Sequence, residues 1–214
     1  MTAWLTRIRL DTRHRTVLDD LRDVVALHRR IMSLVPDRYD ERPRSAAGVL
    51  YRVEDDNASP SLLVQTLVRP DPSRLPAHYG HVQSKNLSPL LDMLDRGLAV
   101  NYRLTGNTSK RLGRKPARGR PGQVVALRGA DAEDWWARRA PGCGLALRTV
   151  HMRQMEDLCG VRNGEAVRHA AARFEGIAVV EDPDSLRSAV LAGIGRGKSY
   201  GCGLLSIAPF GGHS

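Results

Sequence analysis

Aromatic residues are scarce at 5% of the 214-residue chain, there are three cysteines, and no apolar run approaches a membrane span. Each shortage excludes something. A nucleic-acid surface built on many stacking platforms needs more rings than this chain has. Cys143, Cys159 and Cys202 are scattered, form no Cys-x-x-Cys pair and leave one thiol over from any disulfide. That pattern fits a reducing cytoplasm and argues against a zinc site. Residues 1–11 alternate apolar and polar side chains and lack the apolar core and cleavage pattern of a secretory signal, so they are expected to form a strand. What is abundant is positive charge: 33 Lys and Arg against 23 Asp and Glu leave a net +10. Such a balance favours nucleic acid, whose phosphates supply most of the affinity for a basic surface.

The most informative stretch lies near the C-terminus, Gly193-Ile194-Gly195-Arg196-Gly197-Lys198-Ser199-Tyr200-Gly201-Cys202-Gly203, followed by the apolar run Leu204-Leu205-Ser206-Ile207-Ala208-Pro209. Five glycines remove side chains that would keep a ligand from the backbone, and Arg196 and Lys198 place charge between them. Two familiar phosphate loops do not fit. A Walker A loop needs glycine where Ala192 stands, and a dinucleotide fingerprint meets Lys198 or Tyr200 at its third glycine. The order is also reversed: a strand at 174–180, an Asp182-Pro183 cap and a helix at 185–191 precede the glycines.

Along the chain, a helix is expected at 16–35, with Leu21, Val24, Val25, His28, Met32 and Val35 near one face. A hairpin follows from strands at 47–53 and 61–68, then a helix at 88–94 and a strand at 98–104. The basic, glycine- and proline-rich segment 110–122 reads as a loop that an anion would order. Beyond it come a strand at 123–127, a helix at 131–139, paired strands at 145–152 and 174–180, and the closing helix and strand. Both halves repeat strand, helix, strand, strand, helix, strand. The expected architecture is therefore α+β with two tandem ferredoxin-like (RRM-like) domains, 1–109 and 123–214, joined by the linker 110–122.

At this point the residues resemble a known family. Ala26-Leu27-His28-Arg29-Arg30, Asn101-Tyr102-Arg103-Leu104 and the glycine-rich tail are similar to the CRISPR repeat-RNA endoribonucleases of the CasE type, over residues 4–209. The resemblance implies an enzyme that binds the hairpin of each repeat in a precursor transcript and cuts once at the 3′ base of the stem. It implies no metal and no cofactor, a 2′,3′-cyclic phosphate or 3′-phosphate with a 5′-hydroxyl as product ends, retention of the mature crRNA, and partnership with the other Cascade subunits. It also implies two ferredoxin-like domains.

Metal-free RNA cleavage uses the neighbouring 2′-hydroxyl as nucleophile and needs proton transfers at both oxygens. Histidine suits either transfer. Composition does not choose among the seven histidines; the resemblance assigns the catalytic role to His28, as acid or base. Val25 stands where the family often carries tyrosine, with Tyr39 and Tyr200 as substitutes, and Thr105-Gly106-Asn107-Thr108 replaces the usual Ala-Asn-Pro turn. The expected RNA-binding set is Arg29, Arg103, Lys110, Arg111, Arg114, Lys115, Arg148, Arg153, Arg162, Gly193, Gly195, Arg196, Gly197, Lys198 and Ser199. Val25 keeps open a second reading, a non-catalytic structured-RNA-binding subunit of the same complex. A third is a general nucleic-acid binder without hairpin specificity.

Overall fold

The computed structural model describes residues 2–36, 43–55, 59–114 and 119–211. The chain opens with β1 (Trp4–Leu10), whose alternating pattern buries Thr6, Ile8 and Leu10. The helix expected at 16–35 is two helices, α1 (Arg15–Arg22) and α2 (Val24–Met32). Asp23 breaks it: its backbone is extended (φ −128°, ψ 106°), and its carboxylate accepts from the amides of Val25 and Ala26. This N-cap fixes the start of α2 and turns Val24, Leu27 and Ile31 into the core. After α3 (Pro43–Ala46) come β2 (Leu50–Glu54) and β3 (Ser61–Thr66), the expected antiparallel hairpin.

The fourth strand of the first sheet is β4 (Gly80–Asn86), which pairs with β1 and gives the order β2-β3-β1-β4. This is the ferredoxin-like strand order, with the usual second helix reduced to a 3-10 turn at Pro72–Arg74. The helix expected at 88–94 exists as α4 (Ser88–Asp92), but it follows β4. The strand expected to close this unit, β5 (Ala99–Gly106), pairs instead with strands of the second half. The boundary expected at 109 therefore falls inside the second unit.

The described ends of the segment expected as a linker are held together by strand pairing. Within 110–122, Lys110 and Arg111 lie in β6 (Ser109–Arg111), which pairs with β7 (Val124–Ala126). Next come α5 (Ala130–Ala137), β8 (Leu145–Leu147) and β9 (His151–Gln154); the last two are the single strand expected at 145–152, interrupted around Arg148. Between the two strands expected to pair, at 145–152 and 174–180, stands a further hairpin, β10 (Leu158–Arg162) and β11 (Glu165–His169). Its turn, Asn163-Gly164, has φ of 53° and 80°, the left-handed pair that suits a two-residue hairpin. Then follow β12 (Ala172–Val180), α6 (Pro183–Ala192) and β13 (Leu205–Pro209).

The second sheet runs β13-β5-β12-β8, with β9 extending the pairing along β12, so its order matches the first. Trp135, Trp136 and Phe174 centre its core, while Ile8, Leu27, Ile31, Tyr51 and Leu62 centre the core of the first. Arg52 joins the units. Its side chain is 2% exposed and donates to the carbonyls of Arg103 (3.0 Å) and Leu204 (3.1 Å) and to Ser206 Oγ (2.9 Å). Gln65 adds a donation to the Val190 carbonyl at 2.9 Å.

Candidate active site

His28 projects from the middle of α2 into a cavity of about 340 Å³ lined by Val25, Arg29, Val161, Arg162, Ser199 and Tyr200. Three distant segments converge there: the helix, the tip of the β10–β11 hairpin and the glycine-rich loop. Gly160 lets the hairpin approach, because a Cβ there would collide with the Asp23 carboxylate and crowd the Val25 amide. The His28 ring lies between two phenols, stacked with Tyr51 (6.4 Å, 18°) and edge-on to Tyr200 (6.4 Å, 66°). Its Nδ1 is buried and has no hydrogen-bond partner among the described residues. Burial, and then the positive charges of Arg44 and Arg162, hold its pKa down at about 4, so the imidazole is neutral at neutral pH. A neutral imidazole beside arginines can accept a proton and then face a phosphate whose charge those arginines offset.

The glycine-rich segment follows α6 and leads into β13, the order expected from sequence. Its glycines let the loop pack closely against the protein's own atoms. At Gly193 (φ 74°) a Cβ would sit 2.6 Å from Leu50 Cδ2, and at Gly195 (φ 75°) it would sit 3.1 Å from Trp135. A Cβ on Gly197 would meet Asn107 and Cys202. These missing side chains admit the protein's own atoms and let the loop fold tightly. Lys198 turns back as well: Nζ donates to the Ala192 carbonyl at 2.8 Å, and burial followed by Arg44 pulls its pKa down.

The expected site residues divide into three groups. His28, Arg29, Arg162 and Ser199 meet in the cavity described above. Lys110, Arg111, Gly195 and Arg196 line a second cavity, and Arg114 is exposed nearby in sequence; Lys115, like Tyr39, lies outside the described residues. Arg103 and Arg153 line neither cavity. Arg103 bonds Glu175 (2.7 Å) and Glu54 (2.9 Å), and Arg153 bonds Asp55 (2.9 Å). Arg148 is exposed after β8, also outside both cavities.

Three contributors were not anticipated. Tyr51 stacks on His28, Arg44 adds charge beside it, and His169 on β11 stacks on Tyr200 at 4.9 Å and 23°. None has a local motif; each reaches the site through tertiary packing.

Two ferredoxin-like sheets with a histidine, arginines and a glycine-rich loop at their junction describe a nucleic-acid-processing class of protein. Comparison with known proteins is consistent with that class. A family model described as CRISPR associated protein matches residues 3–209. The CRISPR-associated endoribonuclease Cse3 of Thermus thermophilus is 32% identical over 218 residues, covering 96% of this chain and 100% of that protein. A structure of Thermus thermophilus Cse3 bound to an RNA representing a pre-cleavage complex superposes with a TM-score of 0.82 at 31% identity, covering 98% and 100% of the two chains. A chain of a CRISPR RNA-guided surveillance complex, pre-nicking, gives a TM-score of 0.70 at 41% identity, covering 97% and 100%. The chain belongs to the CRISPR-associated protein family that includes Cse3.

Proposed function

We propose that this chain is a crRNA-processing endoribonuclease that recognises the repeat stem-loop of precursor CRISPR RNA, cuts at the 3′ base of the stem and stays with the product as a Cascade subunit in the cytoplasm. The observation that carries the reading is His28: neutral, half-buried, and facing a cavity bordered by Arg29 and Arg162. Similarity to Cse3 and to a surveillance-complex chain supports the RNA substrate and the partners.

In this reading His28 takes the proton from the 2′-hydroxyl as the 2′-oxygen bonds to phosphorus. The phosphorus–5′-oxygen bond breaks, the 5′-oxygen leaves as a hydroxyl on taking a proton from solvent water, a 2′,3′-cyclic phosphate remains, and the His28 imidazolium returns its proton to solvent. Arg29 and Arg162 offset the charge that grows on the phosphorane. No metal enters these steps. Tyr200 is the described phenol that lines the same cavity and can supply what Val25 lacks.

The test is an RNA with a single 2′-deoxy sugar at the scissile nucleotide. Loss of cutting with retained binding, together with a cyclic-phosphate end on the unmodified product, supports the mechanism; cutting of the deoxy substrate overturns it. Val25 favours one alternative, an RNA-holding subunit without catalysis, which would bind both RNAs and cut neither.

A further inference from the structure

Beyond the His28 cavity, the glycine-rich loop borders a second cavity, of about 370 Å³, that neither the histidine nor the hairpin reaches. Five cations from three elements line it: Lys110 and Arg111 from β6, Arg138 and Arg139 from the end of α5, and Arg196 from the loop. Among the described residues, no carboxylate lines it. Arg138 reaches Asp134 at 3.6 Å, but both side chains are about two-thirds exposed, so that pair holds little. Arg111 donates to the Gly122 carbonyl at 2.8 Å, and the Arg139 guanidinium lies 4.3 Å above the Trp135 ring. Lys110 and Arg196 have no counter-ion among the described residues.

A helix C-terminus accounts for basic side chains at the end of α5. It does not account for Lys110, Arg111 and Arg196, which arrive from elsewhere and add repulsion unless an anion enters. Trp135 is only 2% exposed and already covered by Arg139, so the cavity offers no stacking platform for a base. Its chemistry suits a phosphate.

The two cavities are also close along the chain. Arg196 lines this one, and Ser199 lines the other. Three residue steps span at most about 11 Å even when fully extended. The same loop therefore borders both cavities. We infer that this cavity binds a backbone phosphate of the RNA engaged at His28, a short distance from the bond that is cut, with Arg138 and Arg196 as its principal contacts. This rests on the RNA substrate proposed above.

Binding of the 2′-deoxy repeat RNA, titrated between about 50 and 200 mM salt, tests it. Arg138→Gln and Arg196→Gln change exposed side chains. Each is expected to weaken binding by about 10-fold, in the range of one charged hydrogen bond. Each should also flatten the log–log salt slope by about 0.7 to 0.9, the loss of one phosphate contact. Arg15→Gln, at a 93%-exposed arginine lining neither cavity, should leave both unchanged. Unaltered affinity and slope in both cavity variants overturn the inference, as does an equal effect from Arg15→Gln, which would mean net charge alone. Wild-type cleavage of unmodified RNA is scored in parallel. Cavity-dependent binding without cutting keeps this site and removes the catalytic reading; cutting with cavity-independent binding does the reverse. Wild-type protein that binds no repeat RNA removes both.

Discussion

The imidazole of His28 and the phenol ring of Tyr51 lie within 18° of parallel with centroids 6.4 Å apart, although one comes from α2 and the other from β2. Tyr51 is 1% exposed, and its hydroxyl donates to the Ser199 carbonyl at 2.9 Å. One buried phenol thus ties the histidine-bearing helix, the first sheet and the glycine-rich loop together. Tyr51→Phe keeps the ring and removes the donor. Losing this partly buried hydrogen bond costs about 0.5–1.5 kcal/mol, so urea unfolding should show a loss of that size. Unchanged stability would mean that the hydroxyl does not anchor the loop.

His28 should leave a signature in stability against pH. Its native pKa of about 4 lies below the ordinary 6.5, so between these values the unfolded chain binds a proton that the native chain does not. The contribution is fully present above pH 6.5 and is lost as the pH falls toward 4. Thermal melts should therefore show a larger loss on acidification in wild type than in His28→Ala. Arg162→Gln removes one of the charges responsible and should move the imidazole titration upward in NMR; an unmoved titration contradicts that electrostatic coupling.

Tyr200→Phe separates the ring from the hydroxyl. The ring stacks on His169 and flanks His28, so the fold should persist and the melting temperature should stay put. If the hydroxyl assists the reacting phosphate, single-turnover cleavage should fall about 100-fold with little change in RNA affinity. Equal cleavage by the variant would assign Tyr200 a packing role only.

Arg52→Met is expected to be among the most damaging changes outside the site. It strands the carbonyls of Arg103 and Leu204 and removes a buried partner of Glu54. The loss should be about 3 kcal/mol or more in chemical unfolding. A variant as stable as wild type would show that the two sheets hold their arrangement without this residue.

How much of this was legible in the sequence varies by element. The alternation in β1, the Asp182-Pro183 start of α6 and the strand after the glycines were readable, because each has a local physical cause. β4, Gly-His-Val-Gln-Ser-Lys-Asn, was missed because it is an edge strand with mostly exposed polar side chains and almost no apolar pattern. Without β4, the order of strands and helices in the sequence places β5 in the first sheet rather than the second. The break at Asp23 was hidden because α1 and α2 continue a single apolar periodicity through a capping residue. Asn163-Gly164 is a local hairpin signal, and the β10–β11 pair it joins lies between the two strands expected to pair. In the site, His28 came from family resemblance rather than from periodicity. Tyr51, Arg44 and His169 had no signal at all, since only the packing of both units brings them near one ring.

The central claim is that His28 cuts RNA, and a gel tests it most directly. A labelled repeat transcript is incubated in EDTA with wild type and with His28→Ala, and the fragments and bound fractions are measured together. The account predicts one cut at the 3′ base of the stem by wild type, reduced about 100- to 10,000-fold in the variant, with hairpin affinity nearly intact. Equal cutting by the variant, or binding without cutting by wild type, would contradict it.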